Sequence, residues 1–176
     1  MNAATAIPTL ETERLLLRRP APRDVDGFIR LMTSERSRHM GGPKTRPEAW
    51  RGFCTELAHW EMRGFGMFAV TMKGDDTCLG LIGPWFPEGW AEHEIGWTLW
   101  AAAEGRGLAT EAAQATRAWA YDELGWTTAV SYIAPENGRS RRLAERLGAR
   151  LDPDARHNFG DEPVLVYRHP SPEDLR

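Results

Sequence analysis

Hydrophobic positions along this chain switch repeatedly between strand-like runs and helical spacing. Leu15, Leu16 and Leu17 predict a first strand over residues 14–18, which Pro20 and Pro22 end. Val25, Phe28, Ile29 and Met32 recur at helical spacing, so a short helix is expected over 23–34. A second helix opens at Thr45-Arg46-Pro47-Glu48, with proline suited to its first turn, and runs through Trp50, Phe53, Leu57 and Trp60 to about Arg63. Gly64-Phe65-Gly66 ends it. Residues 67–72 and 78–83 read as a hairpin about the turn Lys73-Gly74-Asp75-Asp76. An aromatic-rich loop over 84–90 leads to a strand at 92–99. Leu108, Ala112, Ala115 and Trp119 then stripe a helix that reaches about Leu124. A β-branched run predicts a strand at 128–133, a basic helix follows over 138–147 and closes at Gly148, and 164–168 reads as a final strand.

The order is strand, two helices, hairpin, strand, helix, strand, helix, strand. It predicts a mixed α/β domain with an antiparallel front half and a βαβ unit behind it. Composition narrows the function class. The 176 residues are 41% hydrophobic and carry a formal net charge of −3, enough apolar material for one core and no basic excess that would draw nucleic acid or anionic membrane. No apolar run approaches the roughly 20 residues of a membrane span, and the N-terminal residues lack a secretory pattern. Cys54 and Cys78 have no metal-ligand spacing, so no metal is expected and both read as reduced thiols of a cytoplasmic protein. A homodimer is compatible with the sequence, which does not select an oligomeric state.

The chemistry concentrates around Glu104-Gly105-Arg106-Gly107-Leu108-Ala109-Thr110-Glu111-Ala112, between a strand and a helix. Glycines at a helix entrance expose backbone N–H groups that suit a phosphate or pyrophosphate. A dinucleotide fingerprint wants a small third residue where Thr110 stands, and no Gly-Lys-Ser/Thr run supports a nucleotide P-loop. On the preceding strand Glu92 and Glu94 fall on one face and His93 on the other. Asn137, at a helix start, suits an N-cap, and Arg139, Arg141 and Arg142 form a basic run beside it.

Four segments in order resemble the GNAT superfamily of acetyl-CoA-dependent N-acetyltransferases, within it the ribosomal-protein N-terminal acetyltransferases. They are Glu11-Thr12-Glu13-Arg14-Leu15-Leu16-Leu17-Arg18, then His93-Glu94-Ile95-Gly96-Trp97-Thr98-Leu99, then the Gly105–Ala112 turn, and finally Asn137-Gly138-Arg139-Ser140-Arg141-Arg142-Leu143 with Leu147-Gly148-Ala149. The resemblance implies a mostly antiparallel sheet of about six to seven strands, splayed between the fourth and fifth, with about four helices. The domain would span 10–169 between tails at 1–9 and 170–176. It implies acetyl-CoA as co-substrate, with its pyrophosphate on Gly105, Arg106, Gly107, Leu108, Ala109 and Thr110. Its pantetheine arm would lie along Trp97, Thr98 and Leu99 and reach Asn137 and Ser140.

It further implies direct acetyl transfer to an amine in a ternary complex. Glu94 would be the base, and Ser140 would assist the departing thiolate, because Ala144 stands where many relatives have tyrosine. Tyr132 is a weaker alternative. Trp85, Trp90 and Glu92 are expected at the acceptor pocket, with Phe86, Trp50 and Trp60 as further wall candidates. The acceptor is a protein N-terminal α-amine or a small-molecule amine. A non-catalytic acyl-CoA-binding module is the alternative. Glu104 departs from the family pattern, which has Gln or Arg there; it is expected to point away and leave the pyrophosphate to backbone N–H groups, with Arg106 adding charge.

Overall fold

The computed structural model describes residues 8–176; the remainder of the expected N-terminal tail lies outside the described residues. Among these residues eight strands form one sheet in the order β1-β2-β3-β4-β5-β6-β8-β7. They are β1 (Leu10–Glu11), β2 (Leu15–Arg18), β3 (Phe68–Met72), β4 (Asp75–Trp85), β5 (Glu94–Leu99), β6 (Val130–Ile133), β7 (Arg150–Leu151) and β8 (Leu165–Arg168). The α-helices are α1 (Val25–Met32), α2 (Arg46–Arg63), α3 (Leu108–Asp122) and α4 (Gly138–Arg146), with short 3-10 segments between some elements. All neighbouring strands are antiparallel except the parallel pair β5–β6. No helix among the described residues is long and apolar enough to cross a membrane.

The mixed α/β expectation holds, with eight strands rather than six or seven. The extra pairings come from β1 and β7, each two residues long and too short to carry a periodic signal. Strand starts also move. β4 begins at Asp75, because Gly74 takes a left-handed φ of 83° and lets Met72 pair directly with Asp75. β5 begins at Glu94 rather than residue 92, so Glu92 lies in the preceding loop.

Local chemistry explains the helix limits. The Glu48 carboxylate accepts hydrogen bonds from the Thr45 N–H at 2.8 Å and hydroxyl at 2.6 Å, opening α2; Gly64 closes it at φ 76°. Leu15, Leu17, Phe68, Val70, Ile82 and Ile95 build the core under α3, where Leu108 and Ala112 bury completely or nearly so. On the opposite face Phe28 of α1 and Phe53 of α2 pack on Ala69 and Leu81. Trp60, a candidate pocket wall by sequence, is instead a core residue whose indole N–H donates to the Met67 carbonyl at 3.0 Å; Trp50 faces solvent.

The α1 layer is fastened to the sheet by one buried ion pair. Asp24 accepts from both terminal nitrogens of Arg18 at 2.8 Å and from the Ala21 N–H at 2.8 Å. The Asp24 carboxylate also holds the Arg18 guanidinium in its charged form, with Asp76 adding to the effect.

Candidate active site

β5 and β6 run side by side only at their start. Glu94 pairs with Val130, the Val130 N–H donates to the His93 carbonyl at 2.9 Å, and no later residues of the two strands are in register. Where they part, the Ser131 hydroxyl donates to the Ile95 carbonyl at 2.7 Å. Ser131 in turn contacts His169 Nε2 at 2.9 Å, and His169 Nδ1 lies 3.1 Å from Arg117 Nη1. Because Ser131 spends its proton on Ile95 and arginine can only donate, this network requires His169 protonated on Nε2 alone. Burial, with the charge of Arg117, pushes the imidazole down to about 3, which keeps it neutral. Arg117 also donates to the Leu147 carbonyl at 2.7 Å, placing a cation at the C-terminal end of α4.

Beyond this junction the Trp97 indole bridges the split and donates to Ser140 Oγ at 3.2 Å. This hydrogen bond places Ser140 Oγ beside the gap. Asn137 caps α4 through Oδ1, which accepts from the Ser140 N–H at 3.2 Å. Thr98 turns its hydroxyl to the other face of the sheet, 3.4 Å from Met40 Sδ, and Leu99 packs into the core. Along Trp97–Leu99, backbone groups are therefore what the split offers beyond the Trp97 ring.

The glycine-rich turn opens α3. Gly105 and Gly107 both take left-handed φ, 74° and 76°, and no side chain caps the helix. Orphan N–H groups of the first turn are left for a ligand. Leu108 is 1% exposed, so its side chain anchors the turn and only its backbone N–H is open to a ligand. Arg14 braces the turn, donating to the Arg106 carbonyl at 2.9 Å while Glu111 holds its guanidinium at 2.7 Å. The Arg106 side chain extends toward Met72 Sδ, 3.9 Å away. Glu104 bonds to Arg36 and, at 2.6 Å, to Arg139. One carboxylate between two guanidiniums leaves this cluster net positive, so Glu104 does not make it repel an anion.

At the other end of β5, Glu94 is half-buried. Trp90 Nε1 donates to its Oε2 at 2.6 Å and the Tyr132 N–H approaches Oε1 at 3.4 Å. Desolvation outweighs these bonds and pushes the carboxyl up to about 7. Trp90, Tyr132 and Phe159 form an edge-to-face aromatic group beside it. Glu92 stands apart from Glu94: its carboxylate is held in a fork by Arg168 at 2.8 and 2.9 Å, and its N–H donates to the Tyr132 hydroxyl at 3.1 Å. Glu92 and Trp90 line a cavity of about 650 Å³ with Asp152, Asp154, Arg156 and Arg168. Trp85 does not line it; its ring stacks on His59 at 4.4 Å. His93 stacks on Trp126 at 4.2 Å. Burial pushes Tyr132 up to about 12, so its hydroxyl stays protonated. The sequence missed Arg36, Phe159 and Arg168, which reach the site from elements distant in the chain.

The family model for the acetyltransferase (GNAT) domain matches residues 14–150. The chain belongs to the GNAT acetyltransferase family. An acetyltransferase from Agrobacterium tumefaciens strain C58 is 42% identical, superposes with a TM-score of 0.88, and covers 97% of this chain and 99% of its own. RimL, a ribosomal-protein α-N-acetyltransferase solved in complex with coenzyme A, shares the fold at 17% identity and TM-score 0.72, covering 92% of this chain and 97% of its own. The uncharacterized N-acetyltransferase YnaD of Bacillus subtilis is 30% identical over 85 residues, 48% of this chain and 50% of that protein. The match thus spans about half the length of that curated relative.

Acetyl-CoA is the co-substrate of this family, and this GNAT chain has features that fit it. The uncapped start of α3 suits the pyrophosphate, and the separation of β5 from β6 leaves strand backbone available to an extended arm. Gly107→Ala is expected to place a Cβ in the left-handed region at a cost of about 1–2 kcal/mol, measured by thermal unfolding, and to weaken acetyl-CoA binding by calorimetry.

Proposed function

We propose that this GNAT protein transfers the acetyl group of acetyl-CoA to a primary amine by direct attack, with Glu94 as general base. The observation that carries the reading is Glu94 itself, a carboxyl at the head of the β5–β6 split, held by Trp90 and raised to about 7 by burial. A base poised near neutrality both ionises and accepts a proton efficiently. Acetyl-CoA supplies an activated acyl thioester. Gly105 to Thr110 hold its pyrophosphate through backbone N–H groups, assisted by Arg106, Arg36 and Arg139. Backbone donors at Trp97–Leu99 polarise the acyl oxygen. Asn137 orients the arm, and Ser140 donates toward sulfur while keeping the Trp97 bond. Cys78 is not an activated nucleophile: burial pushes its thiol up to about 12.

The acceptor enters beside Trp90 and Glu92, at a cavity whose lining mixes Asp152 and Asp154 with Arg156 and Arg168, the last paired with both Glu92 and Asp152. An exposed groove of this kind suits the amino end of a peptide, and a small-molecule amine is the other acceptor class. Trp85, the cross-strand partner of Glu94, stacks on His59 and stands as a wall beside the base. The domain comprises residues 10–169, and the protein works in the cytoplasm.

A pH–rate profile tests the role of Glu94. Below about 7 the carboxyl is protonated and cannot accept a proton, so kcat/KM for amine-dependent thiol release is expected to fall with a limb near 7. Glu94→Gln is expected to lose that limb. An unchanged limb in Glu94→Gln assigns the titration to another group.

A further inference from the structure

Glu56 occupies an unusual place for a charged helix residue. It lies on the buried face of α2 with Phe53, His59 and Trp60 and is 8% exposed. Its Oε2 is buried with no hydrogen-bond partner among the described residues. Such an oxygen costs free energy unless the group is neutral or meets a ligand.

The same sheet face receives Glu94. Phe53 packs on Ala69 and Leu81, so α2 covers that face. Even-numbered β5 residues point toward it: Thr98 reaches Met40, and a Cβ on Gly96 would meet Met67 Cε at 2.4 Å and Glu94 Cδ at 3.9 Å. The neighbouring charge that acts on Glu56 among the described residues is Glu94; with burial as the larger cause, it pushes Glu56 up to about 8. His59, on the same helix face, is neutral by its contacts. Nε2 accepts from the Phe86 N–H at 3.0 Å, so Nδ1 donates to the Phe65 carbonyl at 2.6 Å. Arg63 is turned to Glu88 and the Phe86 ring. Two carboxyls thus share a layer that, among the described residues, supplies them no cation.

We propose that Glu56 and Glu94 together form the subsite for the acceptor's amino group, which they receive as a primary ammonium ion. Glu56 is a substrate-binding residue here. In the free protein the pair retains a proton on Glu56. When the ammonium enters, Glu56 releases that proton to solvent, and its carboxylate accepts an N–H hydrogen bond. Glu94 then takes one proton from the ammonium, leaving a neutral amine held by Glu56. This inference rests on Glu94 being the base.

The test combines kinetics and titration on the full chain with Glu56→Gln, Glu56→Asp and Glu56→Leu. Glu56→Gln is expected to raise the amine KM about 10- to 100-fold, the loss of a hydrogen bond to a charged group, with the acetyl-CoA KM unchanged and partial recovery in Glu56→Asp. In the ¹³C-carboxylate spectrum of glutamate-labelled protein, Glu56 is expected to titrate above the ordinary carboxylate range and to shift downward when methylammonium is added. Tetramethylammonium, which has no N–H, is expected to shift it less. Normal folding of Glu56→Leu with the same amine KM as wild type overturns the proposal, as does a Glu56 resonance indifferent to methylammonium. If Glu94→Gln keeps the full rate, the base assignment fails. If Glu94→Gln loses rate while Glu56→Gln keeps its amine KM, only the Glu56 assignment fails.

Discussion

Glu94→Gln is expected to lower kcat for amine acetylation by roughly 10²- to 10⁴-fold, the usual contribution of a positioned general base. Glutamine keeps the length and shape of the side chain. Its amide oxygen can still accept from Trp90 Nε1, the 2.6 Å bond that anchors the native carboxylate. What it cannot do is take a proton from the attacking amine. The loss should therefore appear in kcat, while the acetyl-CoA dissociation constant should stay at the wild-type value, because the proposed cofactor contacts lie at Gly105–Thr110 and the β5–β6 split. Calorimetric titration and steady-state kinetics on the same preparation separate the two. A parallel loss of acetyl-CoA affinity would instead indicate that Glu94 holds the site together.

The second large effect is expected at Leu108, where the glycine-rich turn meets the core. Leu108 begins α3, is 1% exposed and belongs to the cluster of Leu15, Leu17, Phe68, Val70 and Ile82. Leu108→Ala should cost about 2–5 kcal/mol of stability by leaving a cavity beneath the turn. Chemical denaturation with an unchanged m-value checks it. Because the backbone N–H of this residue faces the turn while its side chain anchors the helix, the variant should also bind acetyl-CoA more weakly at temperatures where it remains folded. Ala115, on the sequence-derived stripe but only partly buried, should tolerate substitution better.

Elements with chemical punctuation were legible in the chain. Thr45 and Pro47 open α2 and Gly64 closes it; Gly107 opens α3; Asn137 and Gly148 bracket α4. The family resemblance and the split beside residues 94–99 agree with the family match and the strand register. Less visible was anything decided by long-range pairing. Arg36 reaches Glu104 across 68 positions, and Arg168 reaches Glu92 across 76, so neither stands out in a local pattern. Glu92 and Glu94 read as partners on one strand, but β5 starts only at Glu94, and Glu92 turns to Arg168. Glu56 was hidden for a different reason. A glutamate in an amphipathic helix normally marks the solvent face, whereas here it is buried against the sheet. Trp60 was ambiguous because an aromatic at helical spacing serves a pocket wall and a core equally well.

The most direct measurement is free-thiol release from acetyl-CoA by the purified protein across a panel of primary amines and peptides with free N-termini, with the product mass recorded. The account predicts amine-dependent thiol release matched one for one by N-acetylated product, and near-complete loss of both in Glu94→Gln. Acetyl-CoA binding without thiol release for any amine would contradict it and identify an acyl-CoA-binding module instead.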